Sequence, residues 1–273
     1  MSRTEEYTLA IAGLGAIGLR VAEAVDRGEV PGIRLTAVSA SDQRRAHGRL
    51  AGLAHPPAIV SLGELAGLAD IIVECTPAKV FAEVAGPAVE QGRILIPLSV
   101  AALLDHMDLV ERARVTGARI IVPTGALIGL DTVRAMAEGE ISRVVLETRK
   151  PPGGLAGAAH LVENCIDISN LSAPLRVFHG TAREAARGFP ANVNVAAALA
   201  LAGIGPDRTE VTVWADPAVD RNIQTVTITS DAGDATMTMR NVPSASNPKT
   251  GRIVAQSVLA TLRRLTATLT AGS

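Results

Sequence analysis

The chain has 273 residues, of which 48% are apolar and 19% charged, so a substantial core is available and wholesale disorder is excluded. A net charge of −1 gives no general attraction to nucleic acid or an anionic membrane. Aromatic residues are only 2%, so the core has to be built from Ala, Val, Leu and Ile, which suits helices packed closely on a parallel sheet.

The polar N-terminus leads straight into an apolar run, which reads as a first strand with no signal peptide. No stretch approaches the roughly 18 uninterrupted apolar residues of a membrane span. The two cysteines, Cys75 and Cys165, and the five histidines show no metal-ligand spacing, so no metal is expected. A cytoplasmic protein with reduced thiols is the expectation.

Residues 8–12 predict a strand that stops at Gly13, and an amphipathic helix follows from about residue 16. Between them Gly13, Gly15 and Gly18 form G-x-G-x-x-G, with Ala16 and Ile17 inside it. Gly13 permits the tight turn, Gly15 lets a pyrophosphate approach the backbone, and Gly18 lets the helix lie close to the strand.

Further strands are predicted at 33–39, 70–75, 93–100 and 118–122, alternating with helices at 62–69, 78–91 and about 105–116. This predicts a Rossmann-type, doubly wound parallel sheet. Ligands in such sheets bind beyond the carboxyl ends of strands, which brings in Ser41, Arg44, Thr76, Pro77 and Ala126. After the second strand the sequence offers Ser41 and Arg44 beside Asp42, which favours the phosphate of NADP while leaving NAD open. A solvated helix face is the structural alternative for Arg44 and Arg45.

Beyond residue 126 the pattern changes. Strand-like segments at 142–148, 210–215, 222–229 and 235–242 alternate in polarity and predict a mostly antiparallel sheet with one covered face. Helices are expected at 182–186 and 192–203. A long helix over 249–269, started by Asn247-Pro248, carries Val254, Val258, Leu262, Leu265 and Leu269 on one side. The domain expectation is therefore 1–125 for dinucleotide binding, with the helix at 248–270 packed back on it, and an α+β domain at 126–247 whose sheet either lines a substrate cleft or forms an oligomer interface.

Several segments together resemble the L-aspartate dehydrogenase family along essentially the whole chain. They are GLGAIG, PTGALIGLD, Arg149-Lys150-Pro151-Pro152, Ala182-Arg183-Glu184-Ala185-Ala186, Phe189-Pro190-Ala191-Asn192-Val193-Asn194-Val195, Ala215-Asp216-Pro217 and Asn247-Pro248-Lys249-Thr250-Gly251-Arg252. The resemblance implies oxidation of L-aspartate to iminoaspartate with NAD or NADP, its reversal from oxaloacetate and ammonia, a link to NAD synthesis, and a homodimer. It also implies that Ala126 and Asn194, or Asn192, contact the nicotinamide half.

Carboxylates of the substrate need cations, and Arg149, Lys150, Lys249 and Arg252 lie in these motifs, with Asn192 and Thr250 beside them. Capping a helix is the alternative for one of the two asparagines, and shaping a turn is the alternative for Asp216. In one place the chain departs from the family. Where the family has a catalytic histidine in N-x-H, this sequence has Asn222-Ile223-Gln224, so Gln224 occupies the catalytic position, with Lys249 as its cationic companion. Glutamine does not titrate near neutral pH. Another substrate or base, an altered active site, or a cofactor-binding role without turnover all fit that change, and His160 or His179 could stand in as a base.

Overall fold

The computed structural model describes residues 6–190, 193–244 and 250–272. The chain divides into two units. Unit 1 runs to Pro123 and resumes at Val254–Thr270, whereas unit 2 comprises Thr124–Ile253 and the residues from Ala271.

Unit 1 contains β1 (Tyr7–Ala12), β2 (Ile33–Ser39), β3 (Ala58–Ile59), β4 (Ile71–Glu74), β5 (Ile94–Pro97) and β6 (Arg119–Ile120). All pairs are parallel, in the order β3-β2-β1-β4-β5-β6. The order reverses between β1 and β4, the position at which doubly wound sheets hold their ligands. Leu9, Ala10, Ile11 and Ala12 are wholly buried, as the apolar run predicts for a strand covered on both faces. The helix Ala16–Asp26 buries Gly18, Val21, Ala22 and Val25, one stripe at helical spacing.

The last helix of the chain, Arg252–Thr266, contributes Val258, Leu259 and Leu262 to the same core as Val21, Val25 and Ile33. Full burial of each such side chain stabilises by about 1.5–3 kcal/mol. The predicted stripe ends at Leu265, because the helix ends at Thr266 and Leu269 is exposed. That last turn is tied down: Thr266 Oγ1 donates to Pro31 O (2.9 Å) and Arg263 Nε to Glu29 O (3.0 Å). The predicted start signal Asn247-Pro248 lies outside the described residues.

Some predicted bounds move. The strand expected over 93–100 ends at Pro97, which has no N–H to continue a ladder, and Val100–Leu103 is helical. The short β3 was not anticipated; the helix Gln43–Leu50 carries exposed Arg44 and Arg45, as the helix-face alternative has it, and Asp42 caps its N-terminus by accepting from Arg45 N (3.0 Å).

Unit 2 contains β7 (Ile141–Lys150), β8 (Leu175–Thr181), β9 (Thr209–Ala215), β10 (Ile223–Ser230) and β11 (Gly233–Arg240), ordered β11-β10-β7-β9-β8. Three of the four pairings are antiparallel and β7–β9 is parallel, so the sheet is mixed rather than uniform. One face is covered: Val144, Leu146, Val211, Val213, Val226 and Ile228 are buried. The strand β8 was not expected, since LRVFHGT mixes polar and apolar residues without a clean alternation. Among the described residues, no helix is long and apolar enough to cross a membrane.

Candidate functional site

In unit 1 the three glycines have three different surroundings. Gly13 has φ +95°, and a Cβ there would lie 2.6 Å from Cys75 O. A Cβ on Gly18 would lie 2.0 Å from Gly13 O, so strand and helix can approach only without that carbon. At Gly15 a Cβ would meet nothing within 4 Å. Gly15 is also the N-cap of the helix Ala16–Asp26, and no side chain caps that end. An uncapped helix N-terminus behind an unobstructed Gly15 leaves first-turn N–H groups and the positive end of the helix dipole for a ligand, a cradle that fits a pyrophosphate. Arg49 adds positive charge by donating from its guanidinium to Leu14 O.

Gly13 N donates to Ser39 O (2.8 Å), which joins the turn to the end of β2. Ser41 and Arg44, placed just beyond that end, are exposed, and Asp42 is engaged as a helix cap. At the end of β4, Glu74 is fully buried and accepts five hydrogen bonds: from Thr76 N and Oγ1 (2.7 Å each), Leu98 N (3.2 Å), Ser99 N and Ser99 Oγ (3.0 Å each). One carboxylate therefore holds the Thr76-Pro77 turn against the turn after β5, and the loops on the ligand-binding edge of the sheet become a rigid rim. Glu74 was missed from sequence. The signal was there, as a lone ionisable residue closing the buried run Ile71-Ile72-Val73. Burial, with the Glu74 charge beside it, pushes the Cys75 thiol well above its ordinary range, so Cys75 is no nucleophile.

In unit 2, Gln224 is 3% exposed and sits in β10 between Thr148 of β7 and Met239 of β11. Asn241, just past β11 and equally buried, donates from Nδ2 to Gln224 Oε1 and to Ala126 O (3.0 Å). Its backbone N–H goes to Asn222 O (2.9 Å). The chain then turns back: Ser244 N donates to Thr250 O (2.7 Å) and Pro243 bridges Gly251. A Cβ on Gly251 would come within 3.1 Å of Asn241 Oδ1. Ala126, Gln224 and Thr250, far apart in sequence, are thus drawn to one locality through Asn241, which was not singled out from sequence.

Lys150 lies on the same sheet face as Thr148 and Gln224, because alternate residues of a strand share a face. It is 4% exposed, and this burial lowers its pKa to about 8. Arg149 is correspondingly turned to the opposite face. There its Nε donates to Glu147 (2.9 Å), its Nη1 to Asp216 (3.1 Å), and its guanidinium lies 4.9 Å over the Trp214 ring. Arg149, expected as a cation for a substrate carboxylate, is instead engaged in an ion-pair cluster on the face opposite Gln224. Asp216 also accepts from Ala218 N (2.9 Å), the turn-shaping role that its place before Pro217 suggested.

Asn194 is the first residue of the helix Asn194–Ala202, whose N-cap is Val193, so Asn194 is not a cap. Asn192 and Lys249 lie outside the described residues. The two histidines offered as alternative bases have other partners. His160 is packed between the rings of Phe178 and Phe189 (5.3 Å each), and His179 bonds Thr212 Oγ1 (3.1 Å), which faces away from Gln224. Among the described residues no cluster of three or more His, Cys, Asp or Glu could hold a metal.

Comparison with known proteins adds the following. Residues 131–265 match the family described as "Aspartate dehydrogenase, C-terminal", and residues 13–123 match "Homoserine dehydrogenase, NAD binding domain". An L-aspartate dehydrogenase of Bradyrhizobium diazoefficiens is 50% identical over 270 residues, 99% of this chain and 95% of that one. L-aspartate dehydrogenase 3 of Bordetella bronchiseptica is 51% identical over 273 residues, the full length of both. The crystal structure of the Thermotoga maritima aspartate dehydrogenase superposes with a TM-score of 0.75 at 24% identity, covering 97% of this chain and 99% of that one, which shows the shared fold.

Proposed function

The chain belongs to the L-aspartate dehydrogenase family, and from that premise we propose that it interconverts L-aspartate and iminoaspartate, the imine formed from oxaloacetate and ammonia, with NAD or NADP. The observation that carries the proposal is the match at about half identity over 95% and 100% of the lengths of two L-aspartate dehydrogenases. Unit 1 is the dinucleotide-binding part, and unit 2 supplies the substrate groups and the contact of a homodimer, working in the cytoplasm.

The open turn at Gly15, with Gly13, Ala16, Ile17 and Gly18, is assigned the pyrophosphate, and Ser41 and Arg44 the adenosine ribose or its phosphate. Thr76 and Pro77, held by Glu74, with Ala126 and Asn194 are assigned the nicotinamide half. When bound, the nicotinamide supplies the hydride acceptor or donor. The protein's own work is to hold the substrate Cα at about 3–3.5 Å from the reacting carbon and to exclude water. Lys150, Asn192, Lys249 and Thr250 are assigned to the substrate carboxylates, and Gln224 to the reacting end of the substrate.

Purified protein is expected to oxidise reduced NAD(P) when given oxaloacetate and ammonia together, and not with either alone, followed by the nicotinamide absorbance. No turnover with either cofactor would overturn the proposal. A second reading is favoured by Gln224 itself, which lacks the titration of the family's histidine: the same scaffold acting on a different amine or imine. Turnover of another keto acid or cyclic imine in place of oxaloacetate would select it.

A further inference from the structure

We propose that Asn241 is a positioning residue that turns the Gln224 amide so that position 224 is a fixed hydrogen-bond donor to an oxygen of the substrate. The assignment rests on the aspartate dehydrogenase reading above, and it gives the glutamine a definite job.

The orientation follows from a backbone carbonyl. Ala126 O can only accept, so the Asn241 atom 3.0 Å from it has to be Nδ2. The second N–H of that same nitrogen points at Gln224, so the Gln224 atom facing it has to be Oε1. Turning the Gln224 amide over would set two N–H groups against each other in a place where both residues are 3% exposed. Asn241 is itself fixed by its backbone bond to Asn222 O (2.9 Å) and by Gly251, which leaves room for Oδ1 and for no more.

With Oε1 committed inward, Gln224 has two N–H bonds left on Nε2, and among the described residues nothing takes them. Unspent polar capacity gathers around it. Thr148, its register partner on β7, is fully buried, and its Oγ1 has no partner. Asn241 Oδ1 is likewise buried and without one. Buried polar atoms in native proteins are almost always satisfied, and a cluster of exceptions marks a place where ligand or water completes the set.

A donor at Nε2 selects an acceptor, namely a carboxylate or carbonyl oxygen of the keto or amino acid, and it rejects an ammonium. Gln224 therefore takes no proton.

The test is a side-chain amide 15N NMR titration of the full-length protein, with the Gln224 pair identified by its loss in Gln224→Glu. Succinate is expected to shift that pair, while methylammonium and NADP+ alone leave it in place. In Asn241→Asp the new carboxylate accepts from Nε2, so the Gln224 pair moves in the free protein and no longer responds to succinate. For that variant KM for oxaloacetate rises about tenfold or more. A Gln224 pair that ignores succinate, or follows NADP+ alone, overturns the proposal. So does an Asn241→Asp protein with an unmoved pair and unchanged KM. If Asn241→Asp does not fold, the wild-type titration decides. Absence of wild-type turnover with oxaloacetate would strike the functional reading, and the succinate shift would still decide whether Gln224 is a donor.

Discussion

Ser99 gives Glu74 both its backbone N–H and its hydroxyl, each at 3.0 Å, so a single buried carboxylate joins the ends of two neighbouring strands. Hydrogen bonds to a charged group contribute about 1.5–3 kcal/mol each, and a buried donor left unpaired costs about 1–3. Glu74→Gln puts an amide N–H2 among donors. It is expected to lose about 2–4 kcal/mol of stability in urea unfolding and to weaken NADPH binding, read by nucleotide fluorescence.

The glycine turn separates packing from ligand binding. Gly18→Ala drives a methyl into Gly13 O and is expected to destabilise the fold markedly. Gly15→Ala meets nothing in the protein and has φ −74°, so unfolding should change by no more than about 0.5 kcal/mol. Its affinity for NAD(P) should nonetheless fall about tenfold or more, measured by calorimetry. Equal affinity in Gly15→Ala and wild type would remove the turn from the cofactor site.

Lys150 makes stability depend on alkaline pH. Its pKa in the folded protein is lowered from 10.5 to about 8 by burial. Between those values the unfolded chain binds the extra proton, so stability rises as pH rises through this window. Below pH 8 the cost of the buried charge is present in full, on the order of 3 kcal/mol. In thermal unfolding from pH 7 to 10, wild type is expected to gain on Lys150→Met, and parallel profiles would contradict it.

Arg149→Lys distinguishes the two faces of the unit 2 sheet. Lysine cannot reproduce the paired contacts to Glu147 and Asp216 or the stacking on Trp214, so a loss of about 1–2 kcal/mol is expected. The KM for oxaloacetate should stay within about twofold. A large rise in KM would return Arg149 to the substrate site.

Leu262→Ala should cost about 2–5 kcal/mol, since Leu262 is wholly buried in unit 1. Leu269→Ala should cost less than about 0.5 kcal/mol in the same unfolding experiment.

What the sequence reveals here depends on range. The strands of unit 1 are apolar runs because helices cover both faces, and the glycine spacing is local, so both could be read directly. Strand β8 could not, because its pattern is set by an uneven cover and a register shift between Arg176 and Phe178. The opposed directions of Arg149 and Lys150 were within reach, since neighbours on a strand point to opposite faces. The clamp on Gln224 was out of reach. Its three members, Ala126, Gln224 and Asn241, carry no spacing that announces the contact, and an asparagine at a strand end has many ordinary uses.

The chain leaves unit 1 after Pro123 and returns at Val254 to finish it. Unit 2 is therefore an insertion, and a stop codon anywhere within it would strip Val258, Leu259 and Leu262 from the nucleotide-binding half as well. Halving this protein by truncation takes those three side chains out of the unit 1 core. Excising residues 124–253 and rejoining the ends is the cut that respects its architecture.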